Sequence, residues 1–407
     1  MAFTQNNKRS IFANLNKKMK RLIGTFSALL MMFNSYSQND LGQNELNTIT
    51  TAVPFLLIAP DSRSGSMGDV GVATSPDAYS MHWNPAKLAF SKEDIGISVS
   101  YVPWLRALVP DISLAYIGGF KKINDNEAIG IELRYFSLGE ITFTNSNGDF
   151  IQQVKPNEFA IGSAYSRKLS DLFSLAISGR YIFSDLTKGM DVGGMATKPG
   201  QSIAADVAGF YSKPMRIAGK DIDLSVGANI SNIGSKIAYQ KEEEFADFIP
   251  INMRIGTALA TEIDDYNTIS LALDINKLLV PTPPIIDNDG EIQLGQSSDV
   301  GVVSGIFQSF GDAPGGFKEE MREINYSVGS EYWYNDQFAV RTGYFFEHNT
   351  KGGRKFFTFG AGVKYSAFIL DFSYLVNAKT DAGATNPLAN TMRFSMTWNF
   401  GVTEEIN

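Results

Sequence analysis

The feature that most constrains this chain is a period-two alternation, written most plainly in Met392-Arg393-Phe394-Ser395-Met396-Thr397-Trp398-Asn399-Phe400. Successive side chains of a strand point to opposite faces, so the apolar set lies on one side and the polar set on the other. In a soluble sheet the apolar face would look at a core. In an outer-membrane barrel the apolar face meets lipid and the polar face lines the lumen. Similar segments recur near 94–104, 111–121, 127–137, 157–168, 172–184, 201–213, 222–233, 250–262, 267–277, 322–334, 337–347, 355–366 and 368–377. With 390–401 that makes 14, an even number as single-chain bacterial barrels require.

The connections separate barrel from sandwich. Short links at Lys122–Glu127, Lys168–Asp171, Pro214–Asp221, Ile263–Tyr266, Asn335-Asp336 and Ser366-Ala367 alternate with longer ones at about 138–156, 185–200, 234–249, 278–321 and 378–389. Leu105–Pro110 is the short exception. Short periplasmic turns and longer outer loops are the habit of a membrane barrel, and a soluble sandwich has no reason to show them. The expected fold class is all-β: a transmembrane barrel of about 14 antiparallel strands over 93–401, with a tail at 402–407.

Its apolar face carries Ile129, Ile131, Leu133 and Tyr135; Ile251, Met253, Ile255 and Leu259; and Ile269, Leu271, Leu273 and Ile275. Phe338, Val340, Tyr344, Phe346, Phe357, Phe359, Val363 and Tyr365 continue it. The opposite face holds Glu132, Arg134, Arg180, Asp206, Arg254, Asp274, Glu331, Arg341, Glu347, Lys364, Asp371 and Arg393, six acids and six bases. A charge facing lipid costs ~2–4 kcal/mol near the midplane, so these belong inside. Their balance predicts cross-lumen pairing and a braced or plugged lumen, without a field selecting ions of one sign.

Ahead of the barrel, residues 1–37 read as an export signal. Lys8, Arg9, Lys17, Lys18, Lys20 and Arg21 precede a mostly apolar run, Leu22–Phe33, and the small residues Ser35-Tyr36-Ser37. That run is shorter than the ~20 residues a spanning helix needs, so cleavage before Gln38 is expected. Loss of those six bases takes the formal charge from −8 to −14. An acidic chain is a poor nucleic-acid partner. Cysteine is absent, which excludes disulfides and thiolate metal sites.

Residues 38–92 lack alternation and are rich in Gly, Pro and small residues, predicting a compact element with short helical turns. It could extend into the periplasm or fold as a hatch plugging the barrel mouth. Catalytic signatures are missing: there is no GxSxG, HExxH or phosphate-cradling glycine loop, and the two histidines, His82 and His348, are far apart. Asp287-Asn288-Asp289-Gly290-Glu291 imitates part of a calcium loop, but Ile285 falls at its first ligand position, so a solvated turn is expected. Glu242-Glu243-Glu244 reads as a charged loop face. No catalytic residue, cofactor or metal is expected.

The 44-residue connection 278–321 is too long to be a mere linker. It holds Pro281-Thr282-Pro283-Pro284 and the apolar Val302, Val303, Ile306, Phe307, Phe310 and Phe317. It either folds over its own barrel or offers apolar groups to a partner, and the second reading leads because exposed apolar patches mark interaction sites.

Met67-Gly68, Asp77-Ala78 and Trp83-Asn84-Pro85-Ala86, placed just before a 14-strand pattern, resemble the hatch of the long-chain fatty-acid transporter superfamily. Within it, Thr51-Ala52-Val53-Pro54-Phe55-Leu56, Pro60-Asp61-Ser62-Arg63-Ser64-Gly65, Tyr101-Val102-Pro103-Trp104-Leu105-Arg106 and Val109-Pro110-Asp111 resemble the PorV family of type IX secretion outer-membrane proteins in Bacteroidetes. The resemblance implies association with a SprA-type translocon barrel, acceptance of secreted proteins through their C-terminal domains, and delivery to a PorU-type sortase. Trp83, Asn84 and Pro85 then stand as a hatch motif, and outer-membrane lipid as surroundings. The alternative is transport of long-chain fatty acids or other hydrophobic small molecules, for which a charged lumen is an awkward conduit.

Overall fold

A computed structural model describes residues 46–106, 109–144, 147–190, 196–217, 219–240, 246–378, 388 and 390–402. The expected signal segment and most of the expected tail lie outside them, as does Glu242-Glu243-Glu244. Fourteen antiparallel strands close into a barrel. The first, Glu93–Pro103, pairs with the last, Met392–Val402, from Ile95↔Phe400 to Tyr101↔Phe394. Closure leaves no unpaired edge, which the hydrocarbon layer demands. Among the described residues no helix is long and apolar enough to cross a membrane.

The two-faced pattern sets side-chain direction. On the last strand Phe394 and Phe400 are exposed outward, while Arg393, Ser395 and Thr397 are buried inward. Ile131, Leu133, Leu271, Val340 and Phe359 are likewise exposed on the outer wall. Two residues depart from their expected places. Ile251 is fully buried because the strand begins only at Asn252. Its N–H bonds the Ile249 carbonyl and its carbonyl accepts from Leu279, turning it into the core at the long-connection end. Lys364 is only partly buried and pairs with Asp336 between two short turns, below the lumenal charges.

Residues 46–92 run inside this wall along its length. At the long-connection end the Asn47 N–H donates to the Thr350 carbonyl (3.0 Å) and the Ala52 N–H to that of Phe248 (2.9 Å). At the short-turn end the Ala86 carbonyl accepts from the Ser166 and Ser174 hydroxyls (3.0 and 2.6 Å). The segment is therefore neither an external extension nor a plug confined to one mouth. Short helical turns carry it: Pro54–Leu57, Ser62–Gly65, Ser80–Trp83 and Pro85–Phe90. Asp61 caps the second by accepting from Ser64 N–H, and Asn84 caps the last by accepting from Ala86 N–H.

Inward glycines on the wall let the segment's backbone come close. A Cβ at Gly343 would stand 2.0 Å from the Met67 carbonyl carbon, and one at Gly227 would stand 2.1 Å from the Val72 oxygen. Backbone cannot yield as a flexible side-chain tip can. Gly343→Leu should therefore leave the barrel able to insert but displace the 67–68 stretch, lowering the temperature at which the folded band disappears on unboiled gels and opening the segment to protease. Wild-type heat resistance and protease protection in that variant would show that the close approach is unimportant.

Candidate functional site

Two regions carry the polar and apolar groups of interest: the lumen and the long-connection mouth. In the lumen, Glu132 accepts from Arg134 (2.9 Å) and Arg180 (2.8 Å). Arg180 also reaches Asp206 (3.1 Å) and the Asn232 side chain. Arg134 donates onward to the Leu56 carbonyl (2.9 Å), fastening the wall to the internal segment. A second cluster joins Glu331 to Arg63 (2.8 Å) and Arg341 (2.6 Å), with Arg341 bridging to Asp371 (2.7 Å) and Arg63 to Asp77 (3.0 Å). Taking each ion out of water is costly, and these shared, multiply bonded geometries offset it.

The pairing differs from direct bridges across an open lumen. Arg134, Arg180 and Glu132 are near neighbours on the wall, and much of the bracing ends on the internal segment. Asp274 accepts from Gly71 N–H (2.8 Å) and Val72 N–H (3.0 Å), and Arg393 donates to the Gly65 carbonyl (3.2 Å) and Asp69 (3.3 Å). Arg254 and Asp274, on adjacent strands, form no ion pair with each other. The Arg254 guanidinium lies 4.5 Å from the Trp83 ring centroid, a cation–π contact. Glu347 belongs to the mouth, where it binds Arg354 (2.7 Å).

The Trp83-Asn84-Pro85 motif sits fully buried at the centre of this arrangement. Trp83 Nε1–H donates to Asp61 (2.7 Å), and Asn84 donates to the Val72 and Gly209 carbonyls (2.9 and 3.0 Å). Pro85 opens the last helical turn, where its missing N–H costs nothing. Sequence reasoning missed the internal segment's own charges, Asp61, Arg63, Asp77 and Lys87. No periodicity marks them; the available signal was isolated charge within a small-residue stretch that had to be enclosed.

At the mouth, the 278–321 connection folds into a hairpin, Ile285–Ile286 with Ile292–Leu294, and two helices, Val302–Gln308 and Phe317–Arg322. Asp287 closes the hairpin tip by accepting from Asp289 and Glu291 N–H. The six apolar candidates divide. Val302 and Ile306 pack on the mouth core around Phe248, whereas Val303, Phe307, Phe310 and Phe317 are exposed (68, 75, 51 and 80%). The connection thus folds over its own barrel and also presents apolar groups outward. Ion pairs pin it down: Lys277 to Glu320 (3.1 Å) and Glu323 (2.6 Å), and Lys351 to Glu319 (2.5 Å) and Glu323 (3.0 Å). Burial pushes the Glu319 carboxyl up, and its bonds to Lys351 and the Gly315 N–H more than offset this, leaving it below the usual carboxylate range.

With this geometry in place, comparison with known proteins decides the family. The family described as Type IX secretion system protein PorV matches residues 41–285. This chain belongs to the PorV family. It is an outer-membrane component of type IX secretion, as that family's description and the barrel together show. Comparison with curated proteins gave no match. Among solved structures the chain is similar to the toluene transporter TbuX of Ralstonia pickettii (12% identity, TM-score 0.46, covering 84% of this chain and 98% of that one). It is also similar to a Pseudomonas aeruginosa FadL homologue (12%, 0.44, 87% and 100%) and to the Pseudomonas putida toluene transporter TodX (10%, 0.47, 87% and 98%).

The lumenal bonds carry a stability prediction. Asp274→Ala leaves two buried N–H groups without an acceptor, at ~1–3 kcal/mol each. Its heat resistance should fall, and any loss of secretion should follow the loss of folded barrel. Selective loss of secretion with unchanged heat resistance would contradict a bracing role.

Proposed function

We propose that this PorV-family barrel is a non-enzymatic adaptor, binding a SprA-type translocon barrel, accepting secreted proteins through their C-terminal domains and passing them to a PorU-type sortase. The observation that carries the proposal is the division of the 278–321 connection. Val302 and Ile306 are consumed in covering the mouth, yet Val303 and Phe307 on the same helix, and Phe317 on the next, are left open to solvent. Large apolar groups held outward on a pinned scaffold suit a partner surface. The filled lumen supports this reading over the carriage of hydrophobic small molecules, because Arg63, Glu132, Arg180, Glu331 and Arg341 crowd any path down the axis.

Mild-detergent affinity purification from native outer membranes, with mass spectrometry of what is retained, tests the proposal. The unaltered protein should bring down a giant barrel and secreted proteins sharing a C-terminal domain. Combined Val303→Ser, Phe307→Ser and Phe317→Ser should lose at least one of these while the barrel stays folded, since none of the three lies in the mouth core. Equal recovery with the triple variant would refute the role of this surface. Recovery of the barrel alone with long-chain lipid would replace the proposal with the transport reading.

A further inference from the structure

The wall is not evenly filled on its outer side. Where the strands Glu93–Pro103, Ser113–Asn124, Glu127–Ser137, Asn157–Ser170 and Phe173–Asp185 run side by side, a groove of about 680 Å³ is sunk into the lipid-facing surface. In register across these strands stand Ile97, Gly119, Ile131, Ser163 and Gly179. Gly119 is buried although it faces outward, and Ser163 and Gly179 offer almost no side chain. Around these small residues Ile117, Ile129, Leu133 and Ile161 are exposed and form the ridges. A Cβ at Gly179 would meet nothing within 4 Å, so the space in front of it is free of protein. The strand pairing behind is unbroken at this level, which makes the groove a depression in the wall and not a window into the lumen.

At its short-turn end the groove reaches Lys121, which is exposed and on the same outward face. Among the described residues Lys121 has no carboxylate within ion-pair distance. The outward carboxylates on either side are engaged elsewhere: Glu127 accepts from Asn124 (2.7 Å) and Tyr165 (2.5 Å) and pairs with Arg167 (3.5 Å), and Glu93 accepts from Ser91 (3.0 Å). Asp94 and Lys122 fall on the inward parity of their strands. From Lys121 to Ile117 the strand climbs four residues, roughly 13 Å, which is close to one leaflet of a ~30 Å hydrocarbon core.

We propose that this groove holds one glycerophospholipid of the periplasmic leaflet, with an acyl chain over Gly119 between the aliphatic ridges and its phosphate on Lys121. A flat wall gives a lipid chain contact on one side only. Here the chain is embraced by ridges, and each methylene that enters gains dispersion contacts from floor and flanks. A lysine at the end of an apolar face keeps its stem in hydrocarbon and its ammonium at the headgroup level, where phosphate is the anion a membrane supplies. The proposal concerns the wall alone and stands apart from the adaptor role of the mouth.

The test uses the whole protein, delipidated in mild detergent and titrated with dioleoyl-phosphatidylglycerol while native mass spectrometry counts bound lipid. The proposal expects one copy to bind ahead of all others. Lys121→Gln should weaken that copy by about fivefold, the share of one basic group at a membrane surface. Dioleoylglycerol, which has the chains without the phosphate, should bind the unaltered protein more weakly by a similar factor. Ser163→Leu combined with Gly179→Leu fills the groove from open space and should abolish the first copy. Val340→Phe, exposed on another part of the wall, should leave it unchanged. Heat resistance on unboiled gels confirms that each variant is folded. Binding of many copies with no distinct first one, equal binding to the filled-groove variant, or equal affinity for dioleoylglycerol would overturn the assignment.

Discussion

Everything in this molecule depends on one requirement: the main chain of residues 46–92 must find hydrogen-bond partners inside a tube whose outside is hydrocarbon. A segment with little regular structure leaves many N–H and C=O groups unsatisfied, and each costs free energy when removed from water. The inward face of the wall supplies the partners. Asp274 takes the Gly71 and Val72 N–H groups, Arg134 the Leu56 carbonyl, Arg393 the Gly65 carbonyl, and Thr358 the Gly68 N–H. The inward glycines complete the arrangement by letting backbone meet backbone. The polar lumen is thus shaped to hold protein, and the charges have that work before any work on a ligand.

The consequence for function is a shift of attention from the axis to the ends. With Trp83, Arg134, Arg341 and Arg393 fully buried across the interior, the groups still free to act lie at the long-connection mouth. There the ion pairs of Lys277 and Lys351 hold two short helices in place, and those helices keep Val303, Phe307 and Phe317 turned outward. Membership in the PorV family places such a surface on an outer-membrane component of type IX secretion.

The barrel was legible in the sequence because its two physical demands, lipid outside and water or protein inside, are written into every strand with a period of two. Strand limits such as 127–137 and 368–377 and the count of 14 follow from that pattern, and the alternation of short turns with long connections separated barrel from sandwich. Ile251 escaped because one residue before a strand the pattern still reads as strand while the chain has already turned inward. The internal segment was less legible. Short helical turns have no period, and one of the two carboxylates that Arg63 binds, Glu331, is 268 residues away, so no local rule connects them. The split between Val302, Ile306 and their exposed neighbours was also hidden, because a seven-residue helix on a loop shows too little periodicity to say which side is covered.

The measurement that bears most directly on this account is the ionic conductance of the purified protein in planar lipid bilayers. A lumen occupied along its length by residues 46–92, bonded to the wall at both ends, predicts no steady conductance above the bare membrane. A large, steady conductance from the unaltered protein would mean that the lumen is open, and the account of a braced, protein-filled barrel acting through its mouth would fall.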